Sequence, residues 1–219
     1  MTSEEFVSAL DAENQTLLRA LEPDATLKPE IDGPLNVPNL LKVALKNEIE
    51  ATEIAARWLV TSDDVQVKLA LARQVGDEAK HYRLIVERLR HLGVDASTID
   101  PVAAGYGPLF NYLDTLTDTV ERVAAGQFTR EALALVRNAE FIRFCRGMGD
   151  EATAKLYEDV IQPDETHHHE LGRKLLLELA TTDEAQAAAR AASARVLATA
   201  EELQEIARLK LGVSRAPGC

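Results

Sequence analysis

The chain has only 2 cysteines, Cys145 and Cys219, too few for a thiolate metal site or a disulfide framework. That scarcity leads us to expect a reduced, cytoplasmic setting. With 8 prolines and 11 glycines in 219 residues, the chain is neither collagen-like nor of low complexity. Positive charge is in deficit: 24 Lys and Arg face 36 Asp and Glu, for a net charge of −12. Such a surface repels polyanions, so nucleic acid is not an expected partner. Long apolar runs are missing too. The longest, LALA at 69–72 and KLLLELA at 174–180, fall far short of a membrane span. The acidic start, MTSEEFVSALDAENQ, lacks the basic and apolar regions of a signal peptide. No Gly-rich phosphate loop, GxSxG or CxxC is found, and Cys145 has no obvious base beside it in sequence.

Aromatics are scarce at 5%, whereas Ala and Leu abound, which favours helix. Apolar residues recur with a period of 3.6 through nearly every long segment. The spacing predicts a short helix over 3–21, an irregular proline-bearing arm, and core helices over 39–60, 64–91, 109–146 and 151–180. A last helix follows over 183–211, with SRAPGC as a tail. Ser62-Asp63-Asp64 and Gly147 to Asp150 supply turn and cap residues. The segment HLGVDASTIDPVAAGYGP is too long for a tight helical hairpin. The organisation implied is a single domain over 1–219: an N-terminal helix and arm (1–38), a four-helix bundle (39–180) with a long crossover between its second and third helices, and a C-terminal helix. The last helix is expected to dock on the bundle or to serve dimerisation.

Two D-E-x-x-H motifs carry the chemistry. Asp77-Glu78-Ala79-Lys80-His81 lies midway along the second core helix, and Asp164-Glu165-Thr166-His167-His168 midway along the fourth. Residues three apart share a helix face, so each motif points a carboxylate and an imidazole the same way. One ExxH is unremarkable on its own. Here, however, Asp-Glu occurs at 77, 150, 164 and 183, and two of the four have His at the required offset. Glu78 and His81 also share a stripe with Leu71, Val75, Ile85 and Leu89. Charged groups on an apolar stripe must be paired or metal-bound to be tolerated.

A dinuclear carboxylate site takes one further Glu from each of the other two helices. On the first helix, Glu48 stands among Leu41, Ala44, Leu45, Ala51, Thr52 and Ala55, whereas Glu50 and Glu53 have charged neighbours and are expected to be solvated. The midpoint of 48 and 78 falls in the Ser62–Asp64 turn, which sets Glu48 level with Glu78. On the third helix, Glu131 has Ala124, Phe128, Ala134 and Leu135 around it, while Glu140 sits between Arg137 and Arg143 as in a surface ion pair. A gapless alignment of the two halves at an offset of 87 pairs Glu140 with Glu53 instead. Glu131 is preferred on burial, with Glu140 as the alternative. The candidate ligands are therefore Glu48, Glu78, His81, Glu131, Glu165 and His168. Asp77 and Asp164 are placed to orient the two histidines from behind, across a pseudo-twofold. Pro163 is expected to kink or bulge the fourth helix just before its ligands.

The order E … ExxH … E … ExxH, with the long crossover, resembles the ferritin-like di-metal carboxylate superfamily of ferritins, rubrerythrins, manganese catalases and bacterial di-iron oxidases and oxygenases. The resemblance covers residues 39–180. It implies an all-α ferritin-like bundle with two iron ions per chain, or manganese, bridged by carboxylates and reacting with O2 or peroxide. The chain departs from rubrerythrins proper in having too few cysteines for a rubredoxin module. It departs from ferritins in having two full ExxH motifs and extra terminal helices.

Two functions follow as expectations. The first is an oxidase or oxygenase acting on a small organic substrate with O2 or peroxide, as a homodimer, with an electron-donor protein as a further partner. The second is a ferroxidase, iron-storage or peroxide-detoxifying protein, which the acidic surface would suit. A purely structural bundle that binds no metal is the third reading. Tyr157 and Tyr82 stand near the motifs as redox-active candidates, but core packing is the preferred reading of both.

Overall fold

The computed structural model describes the backbone of residues 1–21 and 36–211, with side chains in 1–19 and 36–202. Most of the proline-bearing arm (22–35) and the tail with Cys219 lie outside the described residues. Among the described residues there are helices and no strand, as the 3.6-residue period requires. No helix among them is long and apolar enough to cross a membrane.

Helix α1 (Ser3–Leu21) is followed by α2 (Val37–Thr61) and α3 (Val65–His91). Asn36 starts α2 by accepting the Asn39 N–H at 2.9 Å, with Pro38 in the first turn, where a missing N–H costs nothing. Asp64 starts α3 in the same way, accepting the Val67 N–H at 2.9 Å. The turn between them lets α2 and α3 pack along their length.

The crossover contains a single 3-10 turn at Ala96–Thr98 and the short α4 (Pro108–Asp114). The continuous third helix expected over 109–146 is broken here. Asp118 accepts the Val120 N–H at 2.8 Å and caps a new start, α5 (Thr119–Val123). That helix continues through a π-helical segment, Ala124–Arg130, into α6 (Glu131–Gly147). After a turn with Gly149 at φ 78° come α7 (Glu151–Leu156), a second π-helical segment (Tyr157–Ile161), α8 (Gln162–Leu179) and α9 (Asp183–Leu211). The second π-helical segment ends two residues before Pro163. A proline cannot donate to the preceding turn, and the wider turn absorbs the missing bond.

The apolar core is split along the helices into two main layers, with a smaller cluster of Leu18, Ala132, Leu133, Leu197 and Ala200 where the terminal helices pack. One gathers Ile54 and Trp58 of α2, Val67 and Leu71 of α3, Phe128, and Leu175 and Leu176 of α8. The other gathers Leu41 and Leu45 of α2, Ile85 and Leu89 of α3, Phe141 of α6, and Tyr157 and Ile161. On every one of the four helical stretches a buried acid interrupts the two layers: Glu48, Glu78, Glu131 and Glu165. The elements meet tightly at this level. A Cβ on Gly172 would stand 2.6 Å from the Gln127 carbonyl carbon, and one on Gly126 would stand 2.6 Å from the Trp58 ring. The terminal helices lean on the first π-helical segment. Asn14 donates to Thr129 Oγ1 at 3.0 Å, and Thr129 donates to Ser193 Oγ at 2.7 Å.

Candidate metal centre

Polar side chains on core helices cost free energy unless they are paired or bound, and the two apolar layers enclose a concentrated set of them. Glu48 is 3% exposed, Glu78 1%, His81 0%, Glu131 0%, Glu165 3% and His168 1%. All six sequence candidates come together. They form two groups, Glu48–Glu78–His81–Glu165 and Glu78–Glu131–Glu165–His168. Within each group the ligand atoms lie within 4.8 Å of one another. Glu78 and Glu165 belong to both groups. Each group therefore has one histidine and one carboxylate of its own, and the two share a pair of carboxylates.

The histidines are turned the same way. His81 Nε2 lies 3.0 Å from Asp164 Oδ2, and His168 Nε2 lies 3.1 Å from Asp77 Oδ2. Each aspartate thus reaches across to the other motif's histidine, as the pseudo-twofold expectation has it. Holding Nε2 outside leaves Nδ1 facing the carboxylates. His81 Nδ1 lies 3.3 Å from Glu78 and 3.5 Å from Glu48. Lys80 ion-pairs with Asp164, and Arg73 sits 3.2 Å from Asp77. Both aspartates are therefore charge-balanced on their outer side.

Four carboxyl groups buried together cannot all stay charged. Burial pushes Glu48 up to about 7. Burial and the Glu78 charge push Glu165 up to about 8. Glu131 is raised by burial and by Glu165. Burial opposes a charge on His81 too, but Glu48 and Glu78 outweigh it and hold the ring protonated, at about 12. Glu78 goes the other way: despite burial, His81, Arg130 and His168 hold it below the usual carboxylate range. In the metal-free chain, protons occupy the places that cations could take.

Two observations test whether this set fits metal ions. Glu131 Oε2 is fully buried with no hydrogen-bond partner, and the equally buried His81 Nδ1 faces only the Glu78 and Glu48 carboxylates, 3.3 and 3.5 Å away. The donor set, carboxylate oxygen with imidazole nitrogen, is one that divalent metal ions take. The residues fit: these buried Glu and His groups could hold a metal ion.

Two acids expected to be solvated or superficial are buried. Glu50 is buried, not solvated, because the crossover folds over it and the Gly107 N–H donates to it at 2.7 Å. Glu140 is also buried rather than superficial, and it lies 3.8 Å from the exposed Arg143. It belongs to neither metal-competent group, whereas Glu131 does. Two buried neighbours escaped the sequence reading. Gln74 donates to Glu131 and, at 3.4 Å, to Glu78. Arg130 is 5% exposed and approaches Glu131 at 3.7 Å. Gln74 had a signal: it is a polar residue one turn before Glu78 on the apolar stripe. Tyr157 is fully buried with its hydroxyl unpartnered, and burial raises its phenol well above the usual range. Burial likewise raises Cys145 to about 12, which keeps it an inert thiol.

No protein-family model matches the chain, and neither a curated protein nor a solved structure similar to it is found.

Proposed function

We propose that this chain is a ferritin-like four-helix protein with a dinuclear iron, or manganese, centre, working as an O2- or peroxide-dependent oxidase or oxygenase on a small organic substrate. The observation that supports it most is the sharing of Glu78 and Glu165 between two groups, each with its own histidine and its own carboxylate. Four carboxylates balance two divalent cations, so the loaded core would be neutral. Bound there, two redox-active cations would supply Lewis acidity and electrons to the oxidant. The chain's own residues do the rest. Asp77 and Asp164 fix the histidine rings, Gln74 holds Glu131 in place, and the apolar layers above and below keep bulk water out. A homodimer, an electron-donor protein and a cytoplasmic location form part of the same reading.

The net charge of −12 favours a second reading, ferroxidase, iron-storage or peroxide-removing activity, since it attracts cations. Metal analysis of aerobically purified protein, with its visible spectrum and light scattering, separates the two. Near two irons per chain in a small oligomer supports the oxidase reading. Many irons per chain in a large shell means storage. No metal after anaerobic ferrous loading overturns both. Glu78→Ala and His168→Ala are expected to cut metal content well below two per chain, and unchanged content in both refutes the ligand set.

A further inference from the structure

The first π-helical segment, Ala124–Arg130, runs straight into Glu131 and is buried throughout. A π-helical turn is rare and needs a cause. The second segment has Pro163 just beyond it; the first contains no proline, and none follows it before Pro163. Its causes are contacts from elsewhere in the chain. Two of its carbonyls are taken by side chains: Ser193 Oγ of α9 donates to the Ala124 carbonyl at 3.3 Å, and His169 Nδ1 of α8 donates to the Phe128 carbonyl at 2.7 Å. Ser193 is itself the end of a hydrogen-bonded chain that starts at Asn14 of α1 and passes through Thr129. The chain runs one way, from an amide through two hydroxyls to a backbone carbonyl. Asn14 is 3% exposed, and Thr129 and Ser193 are fully buried.

We infer that Asn14, Thr129 and Ser193 are positioning residues for Glu131, and that α1 and α9, which lie outside the four bundle stretches, are working parts of the metal centre. The spacing carries the argument. Ser193 Oγ touches the carbonyl of residue 124 and the hydroxyl of residue 129. A carbonyl faces the N–H four residues on in an α-helix and five residues on in a π-helix. The wider turn is therefore what stacks residue 129 over the Ala124 carbonyl, where one serine reaches both. An α-helix turns by about 100° per residue. If the segment relaxed to plain α-helix, Glu131 would rotate against α5 by about that angle. It would leave Gln74 and the group it forms with Glu78, Glu165 and His168. Trp58 against Gly126, and Gly172 against the backbone of Gln127 and Phe128, fix where the segment lies; the Asn14–Thr129–Ser193 chain fixes its pitch. The placing of Glu131 stands on this geometry, and the claim that its displacement costs a metal ion rests on the dinuclear reading.

Mn(II) binding to the full chain is measured by competitive chelation, and backbone amide exchange over 124–131 is measured in chelator on the same variants. Ser193→Ala and Thr129→Val are each expected to weaken one of two Mn(II) ions about tenfold, the lower end for residues that orient ligands. The other ion should stay at wild-type affinity, since Glu131 serves one group only. Thr129→Ser keeps the hydroxyl and loses a methyl, and it is expected to bind both ions as wild type does. Gln186→Ala is the control: it removes another buried α9 side chain, whose hydrogen bonds go to the Met1 and Ala180 carbonyls instead, and both ions should be retained. Exchange over 124–131 should quicken in Ser193→Ala and Thr129→Val and not in the other two. Wild-type binding of both ions in Ser193→Ala and Thr129→Val overturns the inference. So does a loss in Thr129→Ser equal to that in Thr129→Val, or one in Gln186→Ala equal to that in Ser193→Ala. A wild-type chain that takes up neither Mn(II) nor Fe(II) sinks the dinuclear reading instead; amide exchange then decides the role of the chain, and unchanged exchange overturns it.

Discussion

Replacing Glu165 by Gln should raise the stability of the metal-free protein and lower that of the loaded one. In the metal-free chain the Glu165 carboxyl is pushed from 4.5 up to about 8, by burial first and by Glu78 second. A raised acid takes up a proton on folding, so its stability contribution is fully present below pH 4.5 and is lost as pH rises towards 8. At about 1.4 kcal/mol per unit, a charged Glu165 costs the fold at most about 4–5 kcal/mol at pH 8. Glutamine carries no charge and has nearly the same shape. It gives up the contact to His168 Nδ1 at 3.4 Å, worth about 1–3 kcal/mol. The net gain is about 2 kcal/mol, or about 4–8 °C in Tm for a chain of this size. With metal the sign reverses. A cation at 100 times its Kd stabilises by about 2.7 kcal/mol, and Glu165 serves both groups, so the variant forfeits that gain at both positions. Thermal unfolding followed by circular dichroism, in chelator and in excess Mn(II), at pH 8 and pH 5, reads all of this. At pH 5 the metal-free advantage should nearly vanish. A metal-free Glu165→Gln less stable than wild type at pH 8, or one stabilised by Mn(II) as much as wild type, would refute the reasoning.

The same charge balance makes metal-free stability fall between pH 6 and 9, because the raised Glu48, Glu131 and Glu165 and the raised His81 all bind protons on folding. Metal affinity should rise over the same interval as those protons leave, and a flat affinity from pH 6 to 8 by competitive chelation would contradict it. Asp164→Asn should lower metal affinity about 10–100-fold, since it weakens the 3.0 Å contact that turns His81 Nδ1 inward, with helicity unchanged. Glu131→Ala should reduce metal content where Glu140→Ala leaves it at the wild-type value; the opposite pattern would reassign the α6 ligand. Gly172→Ala should cost about 2 kcal/mol or more in chemical denaturation, because its Cβ would meet backbone atoms of Gln127 and Phe128 at 2.6–2.8 Å.

How much was legible in advance differs from residue to residue, for physical reasons. The two DExxH motifs are local: three residues on one helix fix which face the carboxylate and imidazole share, whatever the rest of the chain does. Their aspartates followed from the same spacing, and Asp64 caps the helix whose start its chemistry marks. Glu48 could be chosen because its neighbours at helical spacing are apolar and a short turn sets it level with Glu78. Glu131 could only be preferred over Glu140, and here the tertiary structure decided. Both acids are buried, so burial could not separate them. π-helical turns stand ahead of Glu131 and between it and Glu165, and they shift facing positions in a way no fixed period or gapless comparison of the halves can follow.

The sequence by itself determined the all-helical class, the helix limits to within a few residues except in the broken third helix, and the residue types able to hold a cation. Those properties depend on neighbours within a turn or two. Only the tertiary structure decided that Glu50 is covered, that Gln74 and Arg130 reach the centre, and that Glu78 and Glu165 stand where both groups can use them. These are contacts between side chains dozens of residues apart. They are set by how the crossover and the two π-helical segments bring four separate stretches of chain to one level, which no local pattern records.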